Sequence, residues 1–120
     1  MLHCQFVFAK NLSLLVQFIF ASGYFCTYGE AFRTQEQAIW DVKHHTGILH
    51  SLHCERLAAD INIFSADHKF LMEVKDYEKF GKYWESLHKC NRWGGRFSRP
   101  DADHFEMNPV NVPPLFEDDK

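Results

Sequence analysis

Ser51-Leu-His53-Cys-Glu-Arg56-Leu-Ala-Ala-Asp60-Ile-Asn62 is the stretch whose reading decides the fold. Its second half, continued to Phe64, reads as a buried strand, with Leu57, Ala59, Ile61 and Ile63 alternating onto one face. Asp60 then points to the opposite face, and His53 returns to that face from the preceding loop. The two are too far apart in sequence to be neighbours on a helix face, as an i, i+4 pair is. A carboxylate inside an apolar run is costly unless it is paired or binds a metal. Two readings of Asp60 follow: a metal ligand, or a strand aspartate satisfied by an arginine or a backbone N–H.

A second run, Asp101-Ala-Asp103-His104-Phe105-Glu106, supplies what the first lacks. His104 would be a third ligand, and Asp101 or Asp103 could hold an attacking water and accept its proton. Two imidazoles and a carboxylate, with a spare carboxylate nearby, are the donor inventory of a catalytic zinc site: three protein ligands, a fourth position left for water, and a base.

Ser-x-His-x6-Asp followed by Asp-x-x-His resembles the M15 zinc peptidases. These are the D-alanyl-D-alanine carboxypeptidases and dipeptidases of bacterial cell walls and the L-alanyl-D-glutamate endopeptidases used as phage endolysins. Two more segments match in order: Tyr28-Gly-Glu-Ala-Phe-Arg33-Thr-Gln-Glu-Gln37 looks like the family's strand, arginine and following helix, and Trp93-Gly-Gly-Arg-Phe97 like its Trp-Gly-Gly segment. Four matching segments in order carry weight that any one of them lacks. The resemblance runs from about Leu14 to Met107. It implies zinc on His53, Asp60 and His104, Asp101 as base, Arg33 near the substrate and Ser51 at the site edge. It also implies peptidoglycan stem peptides as substrate and a hedgehog/DD-peptidase-like α+β fold: a small, mostly antiparallel sheet with packed helices. The family often has glycine four residues before the aspartate ligand, where this chain has Arg56. An aspartate base, as in the endolysin branch, leans the specificity towards endopeptidase. The alternative from another class is a non-catalytic zinc-binding interaction module, as in the hedgehog signalling domain. Asp101 argues against it, since a purely structural site needs no base.

Composition bounds the rest. One domain is expected from 120 residues, with a modest core dense in rings, given 12 Phe. A formal charge of −3 gives no electrostatic case for nucleic acid. Cys4, Cys26, Cys54 and Cys90 are widely spaced with no Cys-x-x-Cys pair, against a zinc knuckle; two disulfides or buried thiols are both open. A monomer is expected.

Along the chain, Lys10, the apolar run Leu12–Phe20 and Ala-Ser-Gly look somewhat like an export signal. An amphipathic first helix is favoured, with Lys10, Ser13 and Gln17 as its polar stripe, and the apolar run is too short to span a bilayer. The expected location is therefore cytoplasmic until release to the wall by a holin-like route, with export by an N-terminal signal as the alternative. Tyr24–Phe32 reads as a strand ending at Arg33, and Thr34-Gln-Glu-Gln37 as a capping box for a helix to about His45. Arg33 could hold a substrate carboxylate or an oxyanion, or form a salt bridge to Glu30 or Glu36. His50 and His53 could share a metal only if that segment were helical, and Gly47 argues for a loop. Ser65 to His68 is a turn closing a hairpin into Lys69–Met72. Asp76 looks like the N-cap of a helix to about Cys90, in which Gly81 permits close packing. Trp93 could wall the substrate or anchor the core, and the two glycines after it allow close approach to a ligand. Residues 103–108 form the last strand, closing a catalytic domain at 1–108, and 109–120 are a Pro-rich acidic tail.

Overall fold

The alternation read in the strand around Asp60 sets the architecture. The computed structural model describes residues 2–44 and 51–109. In order, the elements are α1 (Leu2–Ala21), β1 (Phe25–Tyr28), α2 (Gln35–Lys43), β2 (Ala58–Phe64), α3 (Val74–Leu87), β3 (Asn91–Trp93), a single 3-10 turn (Gly94–Arg96) and β4 (His104–Met107). The strands form one antiparallel sheet in the order β1-β2-β4-β3. This is the expected α+β class.

One face of the sheet is core. Ala59, Ile61 and Ile63 of β2 and Phe105 and Met107 of β4 are fully buried there with Leu57. Against them pack Leu15 and Ile19 of α1 and Tyr77, Phe80 and Trp84 of α3. Each such side chain contributes about 1.5–3 kcal/mol on burial. Trp84 also donates its indole N–H to the carbonyls of Arg92 and Glu106, at 3.2 and 3.0 Å, tying α3 to both β3 and β4. The apolar stripe of α3 was readable from its spacing. Its start was not: Glu73 is the N-cap, without a side-chain cap bond, and Asp76 lies in the first turn.

Several expectations need correction. β1 is shorter than the strand read at Tyr24–Phe32, because the chain beyond Tyr28 leaves the sheet to reach Arg33. The capping box is half formed: Thr34 accepts from the Gln37 backbone, but the Gln37 side chain donates forward to Asp41. The hairpin into Lys69–Met72 is reduced to one bridge between Phe64 and Phe70. α1 is longer than the apolar run Leu12–Phe20. At 20 residues it is long and apolar enough to cross a membrane by length and composition, since Lys10 is its only charge apart from histidine. Its inner face nonetheless packs in this core, through Cys4, Val7, Phe8, Leu15 and Ile19. No disulfide links the four cysteines. His45, Gly47, His50 and the tail from 110 lie outside the described residues.

Candidate active site

The opposite face of the sheet is polar, and its register builds the site. Asp60 on β2 is directly opposite His104 on β4, and Glu106 on β4 is directly opposite Arg92 on β3. His104 and Glu106 share this face because a strand alternates with period two. His53 arrives from the turn before β2, as the sequence suggested. That turn is held by Ser51, whose hydroxyl accepts from the His53 backbone N–H at 3.1 Å.

The segment after β1 straps the site from the far side. Gly29 N–H donates to the Asp60 carbonyl at 2.8 Å, and Asp60 N–H to the Glu30 carbonyl at 2.7 Å. Arg33 N–H then donates to the His53 carbonyl at 3.2 Å. Residues 29–33 thus fix both ends of the His53–Asp60 stretch.

Three donor atoms converge. His53 Nε2 lies 3.5 Å, and His104 Nδ1 3.4 Å, from the same oxygen, Asp60 Oδ1. With metal–ligand bonds of roughly 2.1 Å, a tetrahedral ion spaces its ligands about 3.4 Å apart. Asp60 Oδ1 is buried and has no hydrogen-bond partner that meets geometric criteria. An orphaned carboxylate oxygen facing two imidazole nitrogens fits a divalent cation. The far nitrogen of each ring is also occupied. His53 Nδ1 donates to the Ala31 carbonyl at 3.3 Å, and His104 Nε2 to Glu106 Oε1 at 2.7 Å. Ring nitrogens held from behind in this way are characteristic of metal ligands.

The charges follow from these contacts. Burial alone would raise the Asp60 carboxyl, but His104 and His53 outweigh it and hold it at about 2. Burial disfavours a charged His104, yet the Asp60 and Glu106 carboxylates lift it to about 9. The metal-free site therefore carries an imidazolium, whose proton a bound metal displaces. Burial, a hydrogen bond shared with Asp101 and the nearby Asp60 charge push Asp103 up to about 7. Asp60, Asp101 and Asp103 form a second close group of carboxylates, with Asp101 exposed to solvent. A cleft of about 250 Å³ opens beside this group, lined by Phe70, Leu71, Met72 and Tyr77 and by the loop from Pro100 to Asp103.

The two residues expected beside the substrate are both buried. Trp93 is 2% exposed and belongs to the core, its indole donating to the Ala102 carbonyl at 2.7 Å. It therefore presents no face to a substrate. The glycines around it make close approaches to protein: a Cβ on Gly81 or Gly95 would fall 2.1–2.2 Å from the Trp93 ring, and one on Gly94 2.3 Å from the Asp101 carbonyl. Ser51 is 6% exposed and organises the His53 turn. Arg33 does pair with Glu30, one of the salt bridges foreseen, through Nε at 2.7 Å, and lies 4.0 Å from Asp41. Glu106 and Arg92 were missed. For Glu106 a signal existed, since His104-Phe-Glu106 on a strand must put both polar residues on one face.

His53, Asp60 and His104, with further carboxylates beside them, bring together donors that could hold a metal ion. The family model described as D-alanyl-D-alanine carboxypeptidase matches residues 44–107, more than half of the chain, and the chain belongs to that family, the M15 peptidases. It is a peptidase of a peptidoglycan-directed family. Among solved structures, the Serratia marcescens L-Ala D-Glu endopeptidase ChiX is similar in fold, with a TM-score of 0.67 and 17% identity over 82% of this chain and 79% of that one. No curated protein matches.

Proposed function

We propose that the protein is a zinc-dependent endopeptidase acting on peptidoglycan stem peptides, at the L-alanyl-D-glutamate bond. The observation that carries the metal reading is the unpartnered Asp60 Oδ1 between His53 Nε2 and His104 Nδ1. Imidazole and carboxylate donors at tetrahedral spacing suit zinc. Bound there, zinc supplies a Lewis acid that polarises a carbonyl and acidifies water. The chain supplies the rest. Asp101, exposed beside the site, takes the water's proton and passes it to the leaving amine. Asp103 lies beside Asp101 in the same group of carboxylates. Arg33, aimed by Glu30, meets a substrate carboxylate or the developing oxyanion.

The cleft supports an internal bond over a terminal one. Its lining includes Asp101 and Asp103 and, among the described residues, no cation. A free C-terminal carboxylate is disfavoured there. The packing of α1 in the core supports a helix retained in the folded domain over a removable leader. It fits a phage or prophage lysis enzyme, monomeric and held in the cytoplasm until a holin-like route opens.

The test is mass spectrometry of peptidoglycan incubated with the protein, with and without chelator. Stem peptides beginning at D-glutamate are expected. Loss of terminal D-alanine would make it a carboxypeptidase instead. No chelator-sensitive product from zinc-loaded protein would refute the catalytic reading in favour of a binding module.

A further inference from the structure

The two imidazoles of the site are held from behind by unlike partners. His53 Nδ1 hydrogen-bonds a neutral backbone carbonyl at 3.3 Å, with the Glu30 carboxylate farther off at 3.7 Å. His104 Nε2 meets a carboxylate at 2.7 Å, and that carboxylate is itself anchored. The Glu106 side chain is 7% exposed, and its other oxygen accepts from Arg92 Nε at 2.8 Å and from a terminal guanidinium nitrogen. Strand register alone sets this line: His104 and Glu106 alternate onto one face of β4, Arg92 stands opposite Glu106, and Asp60 opposite His104. Arg92, Glu106, His104 and Asp60 thus form one chain of contacts across the sheet.

We infer that Glu106 is a positioning residue for the metal site, fixing the ring of His104 so that Nδ1 faces Asp60 and His53. The chemistry is directional. A carboxylate only accepts, so Nε2 must carry a proton, and the lone pair of a metal-bound His104 must lie on Nδ1. A charged acceptor at hydrogen-bonding distance behind the ring also makes the imidazole a stronger donor to a metal. Arg92 keeps the buried carboxylate ionised and stops it rotating away. The inference rests on the metal reading above.

The experiment measures zinc affinity by competition with a chromophoric chelator, for the full chain and for His104→Ala, Glu106→Ala and Glu106→Gln. Unfolding of each metal-free variant is followed alongside, to separate folding from affinity. Glu106→Ala should weaken zinc binding by about 10–100-fold. Glu106→Gln should recover most of that loss, since its carbonyl still accepts from Nε2. Nitrogen-15 spectra of the zinc-loaded wild type should show the His104 proton on Nε2, a result that needs no variant to fold. Wild-type affinity in Glu106→Ala, or a proton on Nδ1, overturns the proposal while leaving the metal reading intact. If His104→Ala binds zinc as well as the wild type, the ligand set itself is wrong and this proposal falls with it.

Discussion

The two faces of the one sheet are made by the same strands and obey opposite rules. On the core face, Ala59, Ile61, Ile63, Phe105 and Met107 are buried against two helices, and these five tolerate exchange for apolar side chains of similar size. On the site face, Asp60, His104, Glu106 and Arg92 stand at the matching alternate positions, and each is held by specific partners. The core face is complete as folded. The site face leaves a buried oxygen of Asp60 facing two imidazoles at 3.4–3.5 Å without a close hydrogen bond, a spacing open to a cation. Burial makes the fold on one side and stores a binding site on the other.

The comparison breaks most violently on the core side. Removing residues 1–21 would bare Trp84 and Phe80, which meet α1 through the edge-to-face contacts Phe8–Trp84 and Phe18–Phe80. The truncated chain should lose its cooperative unfolding transition by circular dichroism. A truncation that melted like the full chain would make α1 a dispensable leader. Asp101→Ala tests the other face. It should cut kcat/KM by about 10²–10⁴-fold, with zinc content and melting unchanged, since Asp101 is exposed and outside the donor set. Full activity would move the base to Asp103.

The same division explains what could be read from the sequence. The core face declares itself through periodicity: Leu57 to Ile63 and Tyr77 to Trp84 were legible because hydrophobic burial is non-directional and needs only a pattern. His53, Asp60 and His104 were legible because such residue types inside or beside apolar runs are expensive without a purpose. Trp93 was left open between a substrate wall and a core anchor, and burial decides for the anchor, since proximity in sequence to a ligand says nothing about which way a side chain turns. Arg92 was missed because its role comes from cross-strand register, which depends on long-range pairing. The length of α1 was misjudged because apolar residues before Lys10 continue the helix.

A smaller effect separates the faces by pH. Folding lifts His104 from 6.5 to about 9, so its stabilisation is complete below about 6.5 and lost as pH rises through 9. Asp60 is depressed from 3.8 to about 2, so its share is present above about 4 and lost only as pH falls through 2. Asp103, a carboxyl raised from 3.8 to about 7, adds stability that fades as pH rises through 7. Chelator-treated protein should therefore melt lower at about pH 9.5 than at pH 5. Zinc should cancel the His104 part of that slope, because binding removes its proton, and the zinc-induced rise in melting temperature should grow with pH. A flat metal-free profile would mean that the site face contributes nothing without metal.

The smallest effect concerns the bend that carries the chain from the His53 turn into β2. Arg56 sits there at a φ of 58°, in the left-handed region that favours glycine. A side chain in that region costs about 1–2 kcal/mol. Part is returned by the Arg56 guanidinium, 4.0 Å above the Phe32 ring, a contact worth about 0.5–1 kcal/mol. Arg56→Gly removes both, so its net gain in denaturant unfolding should stay under about 1 kcal/mol. Arg56→Ala loses the contact and keeps the strain, and should be destabilised. The gap between the two variants isolates the backbone cost, expected near 1 kcal/mol. Equal stability of the glycine and alanine variants would show that the bend is unstrained, and that arginine stands there for its contact with Phe32.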